Sequence, residues 1–221
     1  HLKAYGIAFS TLEQNRNVDW LLNYRGGSFM MDANMRTQHE CTIKGVYFEL
    51  INAGQLTQIY ASIEQNNMDI VLLEKLPKIA VYSPDDKQPW DDAVTLALTY
   101  AEIEYETVFD EEVLAGKLKE YDWLHLHHED FTGQYGKFFK SYRNANWYKQ
   151  QVADYNATAA QFGFSSVHEL KKSIAVKIKT FISNGGFLFA MCSATDSFDI
   201  ALAAVNVDIA DTPYDGTPVE S

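Results

Sequence analysis

The stretch from Ser166 to Ala204, SVHELKKSIAVKIKTFISNGGFLFAMCSATDSFDIALAA, decides the fold. Ser166 and Glu169 make a capping box ahead of Val167, Leu170, Ile174, Ile178 and Phe181, which recur at helical spacing. Asn184-Gly185-Gly186 is the glycine stop expected where a helix ends. Phe187-Leu188-Phe189-Ala190-Met191 then reads as a fully buried central strand. It delivers Cys192 directly into Ser193-Ala194-Thr195-Asp196, after which Phe198, Ile200, Ala201, Leu202 and Ala204 predict another helix.

Working outward, Ile79-Ala80-Val81-Tyr82 is a second short apolar strand, closed by the turn cluster Ser83-Pro84-Asp85-Asp86. Pro89 opens a helix whose apolar residues are Val94, Leu96, Ala97, Leu98 and Ala101. A strand near Tyr105 to Phe109, a short acidic helix and a strand over Trp123-Leu124-His125-Leu126-His127 follow. Helices alternating with short apolar strands predict βαβ crossovers, hence an α/β fold with a mostly parallel sheet and helices on both faces. Residues 129–165 form an aromatic-rich insertion, and the tail from Asp208 has no periodicity.

Before Pro77 the pattern predicts a helix over Ala4–Gln14, broken by Asn15-Arg16-Asn17. A strand over Val18–Tyr24 ends at Arg25-Gly26-Gly27-Ser28, and a long helical stretch runs from Ile43 to Ile63. Two architectures fit residues 1–76: a small separate lobe, or a strand that extends the same sheet. No Pro- or Gly-rich linker separates Asn67 from Pro77, which favours one continuous body. That places the core at residues 77–207 and an irregular tail at 208–221. The start, His1-Leu2-Lys3, has no initiator Met, so the gene product is expected to begin upstream, and an opening strand is expected before His1.

Composition excludes several classes. At 47% apolar and 14% aromatic over 221 residues, the chain can bury a real core, against disorder or a small disulfide scaffold. The formal charge of −12, with Lys and Arg scattered, argues against nucleic-acid and anionic-lipid surfaces. No apolar run approaches the roughly 18 residues of a membrane span. Cys41 and Cys192 form no zinc-knuckle pattern, and their spacing is open between a disulfide and one reactive thiol with a bystander.

A strand that turns sharply into a helix lifts one side chain to the C-terminal edge of a parallel sheet. There Cys192 meets free helix N–H groups and a positive partial charge, which favour a thiolate and can stabilise an oxyanion. The neighbours Ala190, Ser193 and Ala194 are small, as a tight turn needs. The other reading of Cys192 is a small apolar filler at the end of a core strand. His125-Leu126-His127-His128-Glu129-Asp130 is the second constellation, either a source of bases for the thiol or a polar cluster anchoring the next loop. His125 and His127 share one strand face and could ligate a metal, but further ligands show no recognisable spacing, so no metal is assigned. Arg25-Gly26-Gly27-Ser28 and Thr132-Gly133-Gln134-Tyr135-Gly136 could cradle an anion, yet neither fits a nucleotide motif, and no cofactor is implied.

From Lys78 to about residue 206 this order of elements resembles the class I glutamine amidotransferase-like superfamily, flavodoxin-like domains with a nucleophile-elbow cysteine. The segments VDWLLNYRGGSF (18–29), WLHLHHEDFTGQYGKF (123–138) and FAMCSATDSFDIALA (189–203) resemble an uncharacterised bacterial family that carries the label asparagine synthetase B. The label does not transfer as an activity, because asparagine synthetases proper resemble N-terminal-nucleophile enzymes with Cys at position 1 and an ATP-pyrophosphatase domain. Here His1 stands first and no ATP motif follows. By position the resemblance makes Cys192 the nucleophile, with Ser193 and the loop carrying Gly133, Gln134 and Tyr135 around the oxyanion. The family elbow G-x-C-x-G reads Ala190-Met191-Cys192-Ser193-Ala194 here, and no His follows His168 where the family places its catalytic His and Glu. Either a C-terminal part is missing or the family's triad is lost, and His127 or His128, with Glu129, are the base and acid left in this segment. The resemblance also implies a signal peptide and export. Two functions follow as expectations: a Cys-dependent amide or ester hydrolase, or a catalytically degenerate module that binds a saccharide, another small molecule or a protein.

Overall fold

The computed structural model describes residues 2–84, 93–133 and 136–220. The chain divides into two compact units, one of His1–Pro77 with Ala93–Glu104 and one of Lys78–Asp92 with Tyr105–Ser221.

The first unit holds α1 (Leu2–Glu13), β1 (Val18–Leu22), β2 (Ser28–Met30), α2 (Met35–Lys44), α3 (Ala53–Glu64), β3 (Asp69–Leu73) and α4 (Ala93–Ala101). Its sheet is antiparallel in the order β2-β1-β3, so the strand at Val18 joins a sheet of its own rather than the parallel one. Ala8, Leu12 and Val18 form its core, with Phe29, Met31, Leu73 and Leu76 packed around them. α1 and α4 approach so closely that a Cβ on Gly6 would sit 1.8 Å from the Ala101 carbonyl oxygen. The single helix expected over 43–63 is two helices. Gly45, in the left-handed region at φ 68°, ends α2, and a capping box between Asn52 and Gln55 starts α3. The apolar periodicity ran through this break because Val46, Leu50 and Ile51 belong to an irregular connection.

The second unit holds β4 (Ile79–Tyr82), β5 (Glu106–Val108), α5 (Asp110–Leu114), β6 (Trp123–Leu126), α6 (Gly136–Tyr142), α7 (Asn146–Gln161), α8 (Val167–Ser183), β7 (Phe187–Ala190), α9 (Cys192–Ala203) and α10 (Thr212–Asp215). The four strands are all parallel, in the order β5-β4-β6-β7, which makes this an α/β fold. Residues alternate across the sheet. On one face Ala80, Tyr82, Leu124, Leu126, Leu188 and Ala190 meet the stripe Leu170, Ile174, Ile178 and Phe181 of α8. Each fully buried Leu or Ile there stabilises the fold by about 1.5–3 kcal/mol.

Three features depart from the sequence pattern, the first being the tail from Asp208, expected to be irregular, which holds the short helix α10, capped by Asp211. Among the described strands β7 lies at the edge of the sheet and not at its centre, and Phe187 and Phe189 are 60% and 45% exposed. An unbroken apolar run mimics two-sided burial, but only Leu188 and Ala190 face the core. The outward aromatics lean on register partners across the strand pair, Phe187 on Trp123 at 6.1 Å and Phe189 on His125 at 5.7 Å. The capping box is half formed, since Ser166 Oγ accepts the Glu169 N–H while the Glu169 carboxylate turns to the N–H and Oγ–H of Ser165. The glycine stop is as expected, with the Gly186 N–H donating to the Phe181 carbonyl at 3.0 Å. Pro89 and the acidic end of the 83–86 turn lie outside the described residues.

A buried polar network crosses the core. Lys171 Nζ lies 2.8 and 3.0 Å from the Asp110 carboxylate oxygens and 3.3 Å from Tyr82 Oη, and the Tyr82 hydroxyl donates to Asp110. The ammonium also faces the rings of Phe109 and Tyr155, 4.3 and 4.6 Å from their centroids. Burial, then the neighbouring Asp110, pushes the Tyr82 phenol well up, so it stays a neutral donor.

Candidate active site at Cys192

β7 ends at Ala190, Met191 is extended, and Cys192 opens α9 in the left-handed region at φ 51°. A non-glycine residue held there costs about 1–3 kcal/mol, so the surrounding structure must enforce it. The enforcing contacts run to the segment after β6. The Met191 N–H donates to the Leu126 carbonyl at 2.9 Å and the Ala194 N–H to that of His127 at 3.2 Å. The Ser193 hydroxyl donates to the His128 carbonyl at 3.0 Å, and that of Ser197 to the Glu129 carbonyl at 2.7 Å. The start of α9 is thereby stapled to residues 126–129, and the small residues at 190, 193 and 194 permit the approach.

The staple gathers the chemistry. Cys192 is a free, exposed cysteine, and Cys41 is free and buried, so the two form no disulfide. Burial raises the Cys41 thiol above its ordinary range, with the nearby Glu40 carboxylate adding to it. One donor nitrogen each of His127 and His128 and the Cys192 sulfur all lie within 4.8 Å of one another. The two imidazoles stack at 3.6 Å between centroids. Strand alternation would send them to opposite faces, but β6 ends at Leu126 and alternation no longer governs the residues beyond it. His125, inside the strand, is buried and stacked on Phe189, and its ring also lies 6.0 Å from that of His127, but it is not among the three donors.

Glu129 accepts the backbone N–H of His127 at 2.8 Å, which makes it a positioning residue in this geometry. Asp130 accepts both the N–H and the hydroxyl of Thr132, at 3.0 and 2.5 Å, closing a side-chain turn. Phe131 is buried between Tyr82 and Phe198. Gly133, at φ +85°, lies against the first turn of α8, where a Cβ would meet His168 Cα at 2.3 Å. The loop is thus held at both ends, and its glycine is demanded by packing against α8. Gln134 and Tyr135 lie outside the described residues. Among the described residues, the Cys192 N–H has no backbone acceptor outside its own helix.

A cavity of about 470 Å³ opens at the opposite end of the sheet, lined by residues that precede β6 and β7, including Tyr121, Asp122, Gly185 and Gly186. It is remote from the thiol. No helix among the described residues is long and apolar enough to cross a membrane. The sequence reading missed the buried Lys171–Asp110 pair that underlies the site loop through Tyr82 and Phe131. A lysine inside an apolar helical stripe is the one signal that could have found it. No family model matches the chain, and no curated protein and no solved structure shows significant similarity to it.

Proposed function

We propose that the second unit is a Cys-dependent acyl-transfer domain that hydrolyses an amide or ester. The observation that carries this reading is an exposed Cys192 held at positive φ on a strand-to-helix turn, with imidazole nitrogens of His127 and His128 within 4.8 Å of its sulfur. Strain retained at an exposed residue is typical of functional positions. In this scheme an imidazole of His127 or His128 takes the thiol proton as the sulfur attacks the substrate carbonyl carbon, forming the C–S bond. The Cys192 N–H and the positive end of α9 meet the developing oxyanion. The imidazolium then gives its proton to the leaving nitrogen or oxygen as the C–N or C–O bond breaks, and water cleaves the thioester. Glu129 holds the His127 backbone in register.

The strand order supports a flavodoxin-like reading. Counted within the unit, it runs second-first-third-fourth, the opening of the order 2-1-3-4-5. Cys192 sits at the carboxyl end of the strands, where such sheets place ligands. The class I glutamine amidotransferase-like assignment, and the export it implies, belong to this proposal. The base would come from the segment after β6 rather than from a later His.

The test is turnover of activated esters and small amides by the full chain in the presence of a chelator. Hydrolysis abolished by Cys192→Ala and lowered at least about 100-fold by loss of the general base is expected. Turnover that survives Cys192→Ala would refute the assignment and leave the alternative, a module that binds a saccharide or protein at the same edge.

A further inference from the structure

We propose that His127, His128 and Cys192 form a binding site for a thiophilic divalent transition-metal ion of the Zn2+ class. The donor set is one sulfur and two imidazole nitrogens, which suits zinc and cobalt and is wrong for magnesium or calcium, whose ligands are oxygens. The three donor atoms already lie within 4.8 Å of one another. Around a tetrahedral zinc, with Zn–N and Zn–S bonds of about 2.0–2.1 and 2.3 Å, donors sit about 3.3–3.6 Å apart. Closing the difference takes roughly 1 Å of movement at the donor atoms and the parting of the two stacked imidazoles, whose ring planes must each contain the ion, with an exposed Cys192 and two partly buried histidines as the moving groups.

The backbone beneath the donors is fixed beforehand. The Ala194 N–H on the His127 carbonyl, Ser193 Oγ on the His128 carbonyl and Ser197 Oγ on the Glu129 carbonyl tie the two-histidine segment to the helix that carries the sulfur. The cost of closing the chain between residues 128 and 192 is therefore met by folding and not by the metal. The Glu129 carboxylate on the His127 N–H steadies a ligand-bearing residue from behind. Three protein donors leave a fourth position open to water or another ligand.

The inference stands on donor geometry and does not require Cys192 to attack a carbonyl. Where both hold, the ion and the acyl group compete for one sulfur, and the metal silences the thiol.

Co2+ added to the full chain carrying Cys41→Ala, in which Cys192 is the sole thiol, reads the site directly. The expected result is binding with a thiolate-to-cobalt charge-transfer band that Zn2+ displaces and Cys192→Ser abolishes. His127→Asn and His128→Asn are each expected to weaken binding at least about tenfold, the lower end of what loss of an outer-shell partner costs. No thiolate band, or an affinity unchanged in Cys192→Ser, would overturn the proposal. The native protein gives a second reading by peptide mapping of iodoacetamide labelling. Zn2+ is expected to protect Cys192 and leave Cys41 labelling unchanged, and equal labelling of Cys192 with and without Zn2+ would also overturn it. Because ester turnover is measured under chelation, failure of the metal site and failure of the hydrolase reading are told apart.

Discussion

Replacing Asp110 by Asn removes one charge from the core and little volume. Lys171 Nζ lies 2.8 and 3.0 Å from the two carboxylate oxygens, and both residues are at most 4% exposed. Removal of one partner leaves an ammonium without its counter-ion, which costs about 3–5 kcal/mol in buried pairs. The double variant Asp110→Leu, Lys171→Met removes both charges and keeps an unbranched side chain against Phe109 and Tyr155, so it is expected to cost far less than the single change, or to stabilise. The single and the double change are thus expected to differ by about 3 kcal/mol or more. Urea unfolding followed by hydrogen exchange of the α8 amides reports the second unit by itself. At a slope of about 2 kcal/mol per M, a loss of 4 kcal/mol lowers the midpoint by about 2 M. Tyr82 carries the effect to the site, since its ring lies 5.3 Å from that of Phe131 in the loop. Asp110→Asn is therefore expected to loosen residues 127–133 as well. A single-variant cost below about 1 kcal/mol, the value of a solvated pair, would refute the reasoning.

Other substitutions separate the remaining claims. Gly133→Ala forces a side chain into the left-handed region and onto His168 Cα, so a loss of about 2–4 kcal/mol is expected by denaturant unfolding. Gly6→Ala meets the Ala101 carbonyl and is expected to destabilise the first unit by at least about 2 kcal/mol, read by exchange of α1 amides. Phe187→Thr is expected to cost under about 1.5 kcal/mol, because the ring is 60% exposed on an edge strand. A core Phe would lose about 3–5 kcal/mol on truncation, and a loss of that size would restore the central-strand reading. The Tyr121 phenol, pushed up to about 12 by burial and its hydrogen bond to Glu106, gives a pH effect. Its folded value lies above the unfolded value of about 10, so its stabilisation is whole below that pH and is lost as pH rises toward about 12. Tyr121→Phe is expected to flatten that part of the alkaline stability curve.

β4 and β7 were legible because each is a short apolar run, and the elbow was legible because Cys192 follows such a run with only Met191 between it and the strand. What escaped was set by tertiary context. The sidedness of Phe187–Met191 depends on whether another strand pairs beyond β7, which an apolar run does not encode. β2 escaped because Ser28–Met30 is only three residues long, and β3 because Asp69–Leu73 is closed by the charged Glu74-Lys75 and not by a turn signal. In the site, Cys192, His127 and His128 come together as candidate nucleophile and bases. The tight stacking of His127 on His128, at 3.6 Å against 6.0 Å to His125, depended on where β6 stops. The Lys171–Asp110 pair left only one trace, a lysine within the apolar stripe of α8, because a buried ion pair has the same letters as a solvated one.

The central claim is that Cys192 is a prepared nucleophile, and the most direct measurement is the acyl-enzyme itself. Chelated native protein is mixed with an activated acetyl ester, quenched early and mapped by peptide mass spectrometry, with glutathione at equal thiol concentration as reference. The account predicts acetyl on Cys192 formed well ahead of glutathione and of Cys41, with the lead lost when His127 and His128 are both replaced by Asn. Acetylation of Cys192 no faster than of glutathione, or unchanged by the double histidine replacement, would contradict it.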